Sequence, residues 1–119
     1  MGYLCSDTKL LKYLNQMKAV RVTYIAKAEY VEQNQKNIQQ VMADLQKINN
    51  PNINYHACLG ADGKTFTHTA FFNTEGDEKV LFDLPAFKHF QEQLKAKGLD
   101  NPPKSEQLSL VGSSKELFN

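Results

Sequence analysis

The sequence contains no tryptophan, only two cysteines and almost no net charge. Cys5 and Cys58 lie far apart and outside any CxxC or Cys/His spacing, so neither a disulfide framework nor structural zinc is implied. Fourteen Lys and Arg against thirteen Asp and Glu give a formal charge of +1, which predicts no nucleic-acid or membrane partner. No apolar run approaches the roughly 18 residues of a membrane span. We therefore expect a cytoplasmic protein.

Motifs for nucleotide and peptide chemistry are also missing. The chain has no GxGxxG, P-loop, nucleophile elbow or HExxH sequence, which leaves nucleotide hydrolysis, dinucleotide redox chemistry and zinc proteolysis without support. His56 and Cys58 would share one face of a strand, but two ligands do not make a stable zinc or copper site. We expect neither a metal centre nor a bound cofactor.

The length of 119 residues and the 41% hydrophobic content predict one domain. Residues 1–17 read as an N-terminal extension that carries a short helix, and residues 18–119 as the folded domain. The first six residues, MGYLCS, fit the loose myristoylation pattern M-G-x-x-x-[ST], but this pattern is short and common, and we expect an ordinary extension.

The stretch YHACLGADGKTFTHTAFF predicts two strands joined at Asp62-Gly63. An Asp-Gly pair between alternating runs is a strong signal for a two-residue type I′ hairpin turn. The predicted register pairs Leu59 with Phe66, Ala57 with His68 and Tyr55 with Ala70. One face then collects Tyr55, Ala57, Leu59, Phe66, His68, Ala70 and Phe72, and the other His56, Cys58, Thr65, Thr67, Thr69 and Phe71.

The remaining segments alternate between strand and helix. Residues 19–26 have the period of a strand, and residues 29–48 that of a long amphipathic helix stopped by Asn49-Asn50-Pro51. Thr74 is placed to cap a short helix, Pro85 to start the next one, and Gly98 to end it in a left-handed conformation. Residues 107–112 predict a last strand, with Leu108 and Leu110 facing the helices.

This order, βαββαβ, predicts a ferredoxin-like α+β fold in which an antiparallel sheet carries two helices on one face. The other face would remain open, lined by residues that include Arg21, Thr23, His56, Thr67, Thr69 and Phe71. Phe71, Val111 and Ile25 are more apolar than a solvated face requires, which favours pairing with a second copy of the chain.

From Lys18 to Phe118 the chain resembles the dimeric α+β barrel superfamily, which includes the antibiotic-biosynthesis monooxygenase-like proteins. The resemblance depends on the element order, on KTFTHTAFF as the third strand, on LFDLPAFKHFQEQL as the second helical region and on LSLVGSS as the last strand. It implies a homodimer in which two sheets face each other and enclose a ligand-sized cavity. No complete catalytic set of any branch matches, so no family catalytic residue is transferred to this chain.

Chemistry-bearing residues are found on both faces. We expect the ligand to contact Arg21, Thr23, His56, Thr67, Thr69 and Phe71 on the open face, or Tyr24 and His68 if the other face lines the cavity. His68 and His56 are the candidates for acid-base catalysis, and a neutral, hydrogen-bonded structural histidine is the alternative at position 68. Arg21 would reach water, form an ion pair across subunits, or hold a ligand carboxylate.

Three functions compete. The first is a homodimer that binds a small hydrophobic or aromatic molecule, with cofactor-independent monooxygenase-like or isomerase-like activity. The second is a non-catalytic assembly or sensor protein, which the missing catalytic set favours. The third is RNA binding, because the RNA-recognition motif shares the element order and Lys64, Phe66 and Phe71 match scattered positions of its signature. Its glycines and paired aromatics are absent.

Overall fold

The computed structural model describes residues 17–118, which form a four-stranded antiparallel sheet and three α-helices. The predicted N-terminal helix, which lies in residues 1–17, falls almost entirely outside the described residues. The strands are β1 (Lys18–Ile25), β2 (Ile53–Leu59), β3 (Thr65–Phe72) and β4 (Lys104–Leu108). The helices are α1 (Val31–Ile48), α2 (Glu75–Asp83) and α3 (Pro85–Gln93), with a 3-10 turn at Ala28–Tyr30 and a π-helical turn at Leu94–Gly98.

The strands lie in the order β2-β3-β1-β4, and the predicted ferredoxin-like architecture is confirmed. Val20, Val22 and Tyr24 of β1 lie on the same face as Phe66, His68 and Ala70 of β3, because β1 pairs with β3 through Tyr24–Phe66, Val22–His68 and Val20–Ala70. This face meets the helices and forms the core. We call it the covered face, and the opposite side the open face.

The hairpin register is confirmed, but the predicted type I′ turn is wrong. Leu59 pairs with Phe66 and Tyr55 with Ala70 as expected. The turn itself spans Gly60 to Gly63, whose N–H donates to the Gly60 carbonyl at 3.0 Å. Of its residues only Gly63 has a positive φ, at 74°.

Asp62 holds this longer turn together instead of adopting a left-handed conformation. Its carboxylate accepts from the Lys64 and Thr65 N–H groups, each at 2.9 Å, and from the Thr65 hydroxyl at 2.6 Å. These hydrogen bonds to the charged form lower the pKa of Asp62 to about 2. The predicted register is retained because the predicted turn and the observed turn join β2 and β3 about the same midpoint of the chain.

Helix boundaries follow the predicted signals in two places. Asn49 ends α1 in the left-handed conformation at φ 53°. Thr74 and Asp77 form a capping box at the start of α2, with the Asp77 N–H donating to the Thr74 hydroxyl and the Thr74 N–H to the Asp77 carboxylate.

The prediction for Gly98 is wrong. Its φ is not positive, and the reason for glycine is packing, since a Cβ there would lie 2.4 Å from the Tyr30 ring.

The last strand is shorter and earlier than predicted, and its faces are exchanged. β4 runs from Lys104 to Leu108, and Leu108 pairs with Ala19 on the open face. Ser105, which pairs with Val22, takes the covered face instead. The physical reason is that Pro102 and Pro103 immediately precede Lys104, so that pairing with β1 begins at Lys104. Ser105 and Gln107 therefore take the covered face, where Leu108 and Leu110 were expected.

Candidate functional site

A cavity of about 290 Å³ lies between the covered face and the helices. It is bounded by β1 and β3 on one side and by α2, α3 and the π-helical turn on the other. The apolar wall is formed by Val20, Val22, Phe72, Leu81, Phe87 and Phe90. Ser105 of β4 also lines the cavity, on the face where a leucine was predicted. The cavity volume is at the lower end of ligand sites.

The open end of the cavity has a different character from its wall. Lys18, Glu78, Gln91 and Lys95 line it there and are exposed or half-buried. The Lys18 ammonium and the Glu78 carboxylate form an ion pair at 2.7 Å. A charged rim around an apolar interior lets a small uncharged molecule enter without burying these charges.

His68 is the polar centre of the cavity and is only 5% exposed. Its Nε2 lies 2.8 Å from the Tyr24 hydroxyl and its Nδ1 lies 2.6 Å from the Tyr55 hydroxyl. Both tyrosines are diagonal neighbours of His68 in the sheet, one on β1 and one on β2, and diagonal pairs are within reach for aromatic side chains. The strand pairing therefore brings the three side chains together.

Helix α1 adds a fourth member to this group. The Asn34 amide Nδ2 donates to the Tyr24 hydroxyl at 2.9 Å, and Asn34 is fully buried. We call Asn34, Tyr24, His68 and Tyr55 the relay. The Asn34 Oδ1 has no hydrogen-bond partner in the described part of the chain.

The relay is uncharged at neutral pH because burial disfavours every charged form. Desolvation lowers the pKa of His68 to about 4. Desolvation also raises the pKa of both Tyr24 and Tyr55, in the case of Tyr24 against the opposing hydrogen bond from Asn34. A neutral imidazole with so low a pKa is a weak base, so this arrangement suits hydrogen bonding better than proton abstraction.

Of the predicted site residues, the structure brings Tyr24 and His68 to the cavity. Arg21, Thr23, His56, Thr67, Thr69 and Phe71 lie on the opposite, open face, so a contact between these six and a ligand stays a prediction. His56 contacts Asn54 there, and Arg21 forms an ion pair with Glu106 of the adjacent strand at 3.2 Å. The expected space between two facing sheets is a separate location from the cavity described above.

Sequence reasoning missed Tyr55 and Asn34 as site residues. Tyr55 was assigned to the correct face, but only as a core residue. Asn34 carries a signal that could have identified it: it lies between Val31 and Ile38 at the three- and four-residue spacing of the apolar stripe. An amide in that stripe must be buried and needs a polar partner.

Three further observations on the described residues concern metal ions, membrane helices and RNA. Among them no group of three His, Cys, Asp or Glu side chains lies close enough to hold a metal ion. Within the same range no helix is both long and apolar enough to cross a membrane. Phe66, which matched the RNA-recognition signature, is 2% exposed on the covered face, where it cannot stack on a base.

No protein-family model matches the sequence, and no curated protein matches it significantly. Solved structures do match it over most of their length. Three are each named a "putative antibiotic biosynthesis monooxygenase". The protein from Bacteriodes thetaiotaomicron has a TM-score of 0.74 at 11% identity, covering 87% of this chain and 97% of that one.

The other two structures give similar values. The Caulobacter crescentus protein has a TM-score of 0.69 at 16% identity, with 88% of this chain and 99% of that one covered. The Nitrosomonas europaea protein has a TM-score of 0.67 at 14% identity, with 81% and 91% covered. The chain therefore has the ferredoxin-like α+β fold of the antibiotic biosynthesis monooxygenase-like structures, as the resemblance predicted.

Proposed function

We propose that the protein binds a small, uncharged aromatic or hydrophobic molecule in the cavity between the sheet and the helices. The observation that carries the proposal is a neutral histidine held between two tyrosines at one point of an otherwise apolar wall. An apolar pocket with a few convergent polar groups is the usual form of a small-molecule site. A charged ligand would have to be desolvated there with no opposite charge at the relay.

A cavity-filling variant tests this. Ala70 lines the cavity on β3, whereas Ala57 lies on the covered face of β2 away from it. Ala70→Leu should abolish binding of one- and two-ring neutral aromatics, measured by NMR shifts of cavity residues, while the matched Ala57→Leu variant keeps it. Equal binding by both variants would place the ligand elsewhere.

The names of the neighbouring structures favour a second candidate, oxidation of the bound molecule by dioxygen without a bound cofactor. In such a reaction a CH2 group becomes a carbonyl, one oxygen atom enters the substrate, and the other leaves as water with the two hydrogens. Oxygen uptake that needs both the protein and a bound aromatic, and that Ala70→Leu removes, would support it. Binding without oxygen uptake favours the non-catalytic sensor function. Isomerisation has less support, because it needs a stronger base than His68.

We infer further that two copies of the chain pair through the open face. Ile25 and Phe71 are only half-buried on this face, so a single chain leaves apolar surface uncovered there. Val111, which was expected on the same face, is fully exposed but lies beyond the end of β4. Light scattering that gives twice the chain mass would support this pairing. A monomer at all concentrations would contradict it without affecting the cavity.

A further inference from the structure

Helix α2 is the most weakly held wall of the cavity. Glu78, Leu81 and Phe82 lie at positions i, i+3 and i+4, so they share one face of α2, and all three line the cavity. Leu81 is the one apolar residue of α2 that is buried, whereas Phe82 is 47% exposed. Helix α3, in contrast, buries both Phe87 and Phe90. A segment with few buried apolar side chains is among the first to open in a folded protein.

Both ends of α2 are residues with an extended backbone. Thr74 has φ −138° and ψ 168°, and Leu84 has φ −67° and ψ 123°. Pro85 follows at once and starts α3, so α2 and α3 are separate helices joined at Leu84. Asn50 donates to the Asp77 carboxylate at 3.0 Å, close to the Thr74 end. Residues at the ends of elements commonly act as hinges, so α2 can turn as a unit about Thr74 and Leu84.

An ion pair joins the cavity face of α2 to the sheet. The Lys18 ammonium of β1 lies 2.7 Å from the Glu78 carboxylate, and both side chains line the open end of the cavity. The Lys18 side chain is 41% exposed and the Glu78 side chain 17% exposed, so water reaches the pair. Such a pair contributes little stability and is weakened by salt. The gap between β1 and α2 is therefore closed by a link that breaks easily.

We propose that α2 is the lid of the cavity and that the ion pair of Lys18 and Glu78 is its latch. Opening turns α2 about its two hinges, separates the ion pair and moves Leu81 out of the cavity wall. Burial of one leucine side chain favours the closed state by about 10- to 150-fold, so the open state has a population on the order of one per cent. This inference rests on the proposed function, since it concerns entry to the same cavity, but its test requires no bound ligand.

Entry to the cavity can be measured with a thiol on its sheet side. Ala70 is 5% exposed and lines the cavity, so Ala70→Cys in a chain that also carries Cys5→Ser and Cys58→Ser places one small thiol behind the lid. The probe is 4,4′-dithiodipyridine, a neutral two-ring disulfide that releases a coloured thione when a thiolate attacks it. If the lid must open first, the rate of this reaction is proportional to the population of the open state.

The latch is tested by removing its charge. Glu78→Gln should raise the reaction rate of the Ala70→Cys thiol about three- to fivefold. An increase in salt from about 0.1 M to about 1 M should raise the rate by a similar factor while Glu78 is present, and should add nothing after Glu78→Gln. The matched control is Glu106→Gln, which removes the ion pair with Arg21 on the open face and should leave the rate unchanged.

A second thiol separates opening of the lid from unfolding of the whole chain. Val41 is 1% exposed on α1 and does not line the cavity. The Ala70→Cys thiol should react at least about tenfold faster than a Val41→Cys thiol in the same background. Its rate should also change little in low urea, because opening the lid exposes little surface. Equal rates and an equal, steep urea dependence would mean that both thiols react only after unfolding, which would overturn the lid.

Movement of the helix itself is measured by ¹⁵N relaxation dispersion. Exchange between two conformations should be found in residues 74–84 and not in α3, and Glu78→Gln should increase it. A thiol rate that rises in Glu78→Gln without exchange in α2 would assign the entrance to the two side chains alone and overturn the movement. A thiol rate that Glu78→Gln leaves unchanged would overturn the latch. Neither result affects the proposed function, which is overturned separately if neutral aromatics do not bind.

Discussion

The two faces of one sheet differ in almost every physical property. On β3, the covered face presents Phe66, His68, Ala70 and Phe72, all buried, while the open face presents three half-buried threonines and Phe71. The buried polar side chains of the covered strands, Tyr24, His68 and Tyr55, are neutral and linked in a relay, whereas the open face has an ion pair that water reaches. A period of two residues is enough to separate a buried face from a solvent-accessible one.

The largest effect expected concerns Phe72 and Phe71, which are adjacent in sequence but on opposite faces. Phe72 is 1% exposed in the core, so Phe72→Ala should lower the free energy of unfolding by about 4 kcal/mol through lost burial and a new cavity. Phe71→Ala should cost about 1 kcal/mol in a single chain. Urea denaturation measures both.

A cost for Phe71→Ala that grows with protein concentration would sharpen the comparison, since it would show that a second copy covers the open face. If Phe72→Ala and Phe71→Ala lower the free energy of unfolding by the same amount at every protein concentration, the difference between the two faces is contradicted.

The second prediction concerns the pH dependence of stability that results from burying His68 on the covered face. Because the pKa of His68 falls from 6.5 to about 4 on folding, the unfolded chain takes up a proton at this residue before the folded chain does. The contribution to stability is complete above pH 6.5 and is lost as the pH falls toward 4, by about 3 kcal/mol.

Denaturation curves between pH 7 and pH 4 check this against His68→Gln, which should lose that part of the pH dependence. The same slope in both proteins would mean that His68 is solvated in the folded state.

The third prediction compares two buried amides of α1. Asn34 has an unpaired Oδ1, whereas Asn37 accepts from Gln33 and donates to Tyr30. Asn34→Leu should raise the free energy of unfolding by about 1 kcal/mol, because it removes unsatisfied polar atoms from the core. Asn37→Leu should lower it by a similar amount, because its partners lose their hydrogen bonds. Thermal denaturation of the two variants tests this prediction. A loss of stability in both would mean that Oδ1 of Asn34 has a partner in solution.

The smallest effect is expected for the ion pair of the open face. Arg21 and Glu106 are both partly exposed, so Arg21→Ala should change stability by less than about 0.5 kcal/mol. A double-mutant cycle with Glu106→Gln isolates the pair. A coupling well above 1 kcal/mol would show that the pair is buried in an interface.

Much of the fold could be predicted because local signals agreed with one another. The alternation around Asp62-Gly63 defined the register, the capping residues Thr74 and Asn49 defined helix ends, and the element order defined the topology. Predictions failed where the conformation of a residue depends on a neighbour from a distant part of the sequence. Gly98 is required by the Tyr30 ring packed against it, and the faces of β4 depend on which residue first pairs with β1.

The site was predictable only in part for the same reason. Tyr24 and His68 stand out by residue type, and their face follows from the strand period. Tyr55 joins them through a contact between β2 and β3 that has no signature in sequence spacing. The position of Asn34 in the apolar stripe of α1 indicates burial, but its partner Tyr24 follows only from the packing of α1 on the sheet. The cavity is lined by residues from all four strands and from three helical segments, and no local sequence pattern indicates a space between such distant segments.

By itself the sequence determined the order of strands and helices, the register of the hairpin and the division of β1, β2 and β3 into an apolar and a polar face, because hydrophobic period and turn chemistry act over a few residues. Tertiary structure decided which titratable groups meet, which of them lose water, and where space is left for a ligand. These depend on desolvation and packing between distant segments, and they are what gives a histidine and two tyrosines the properties of a site.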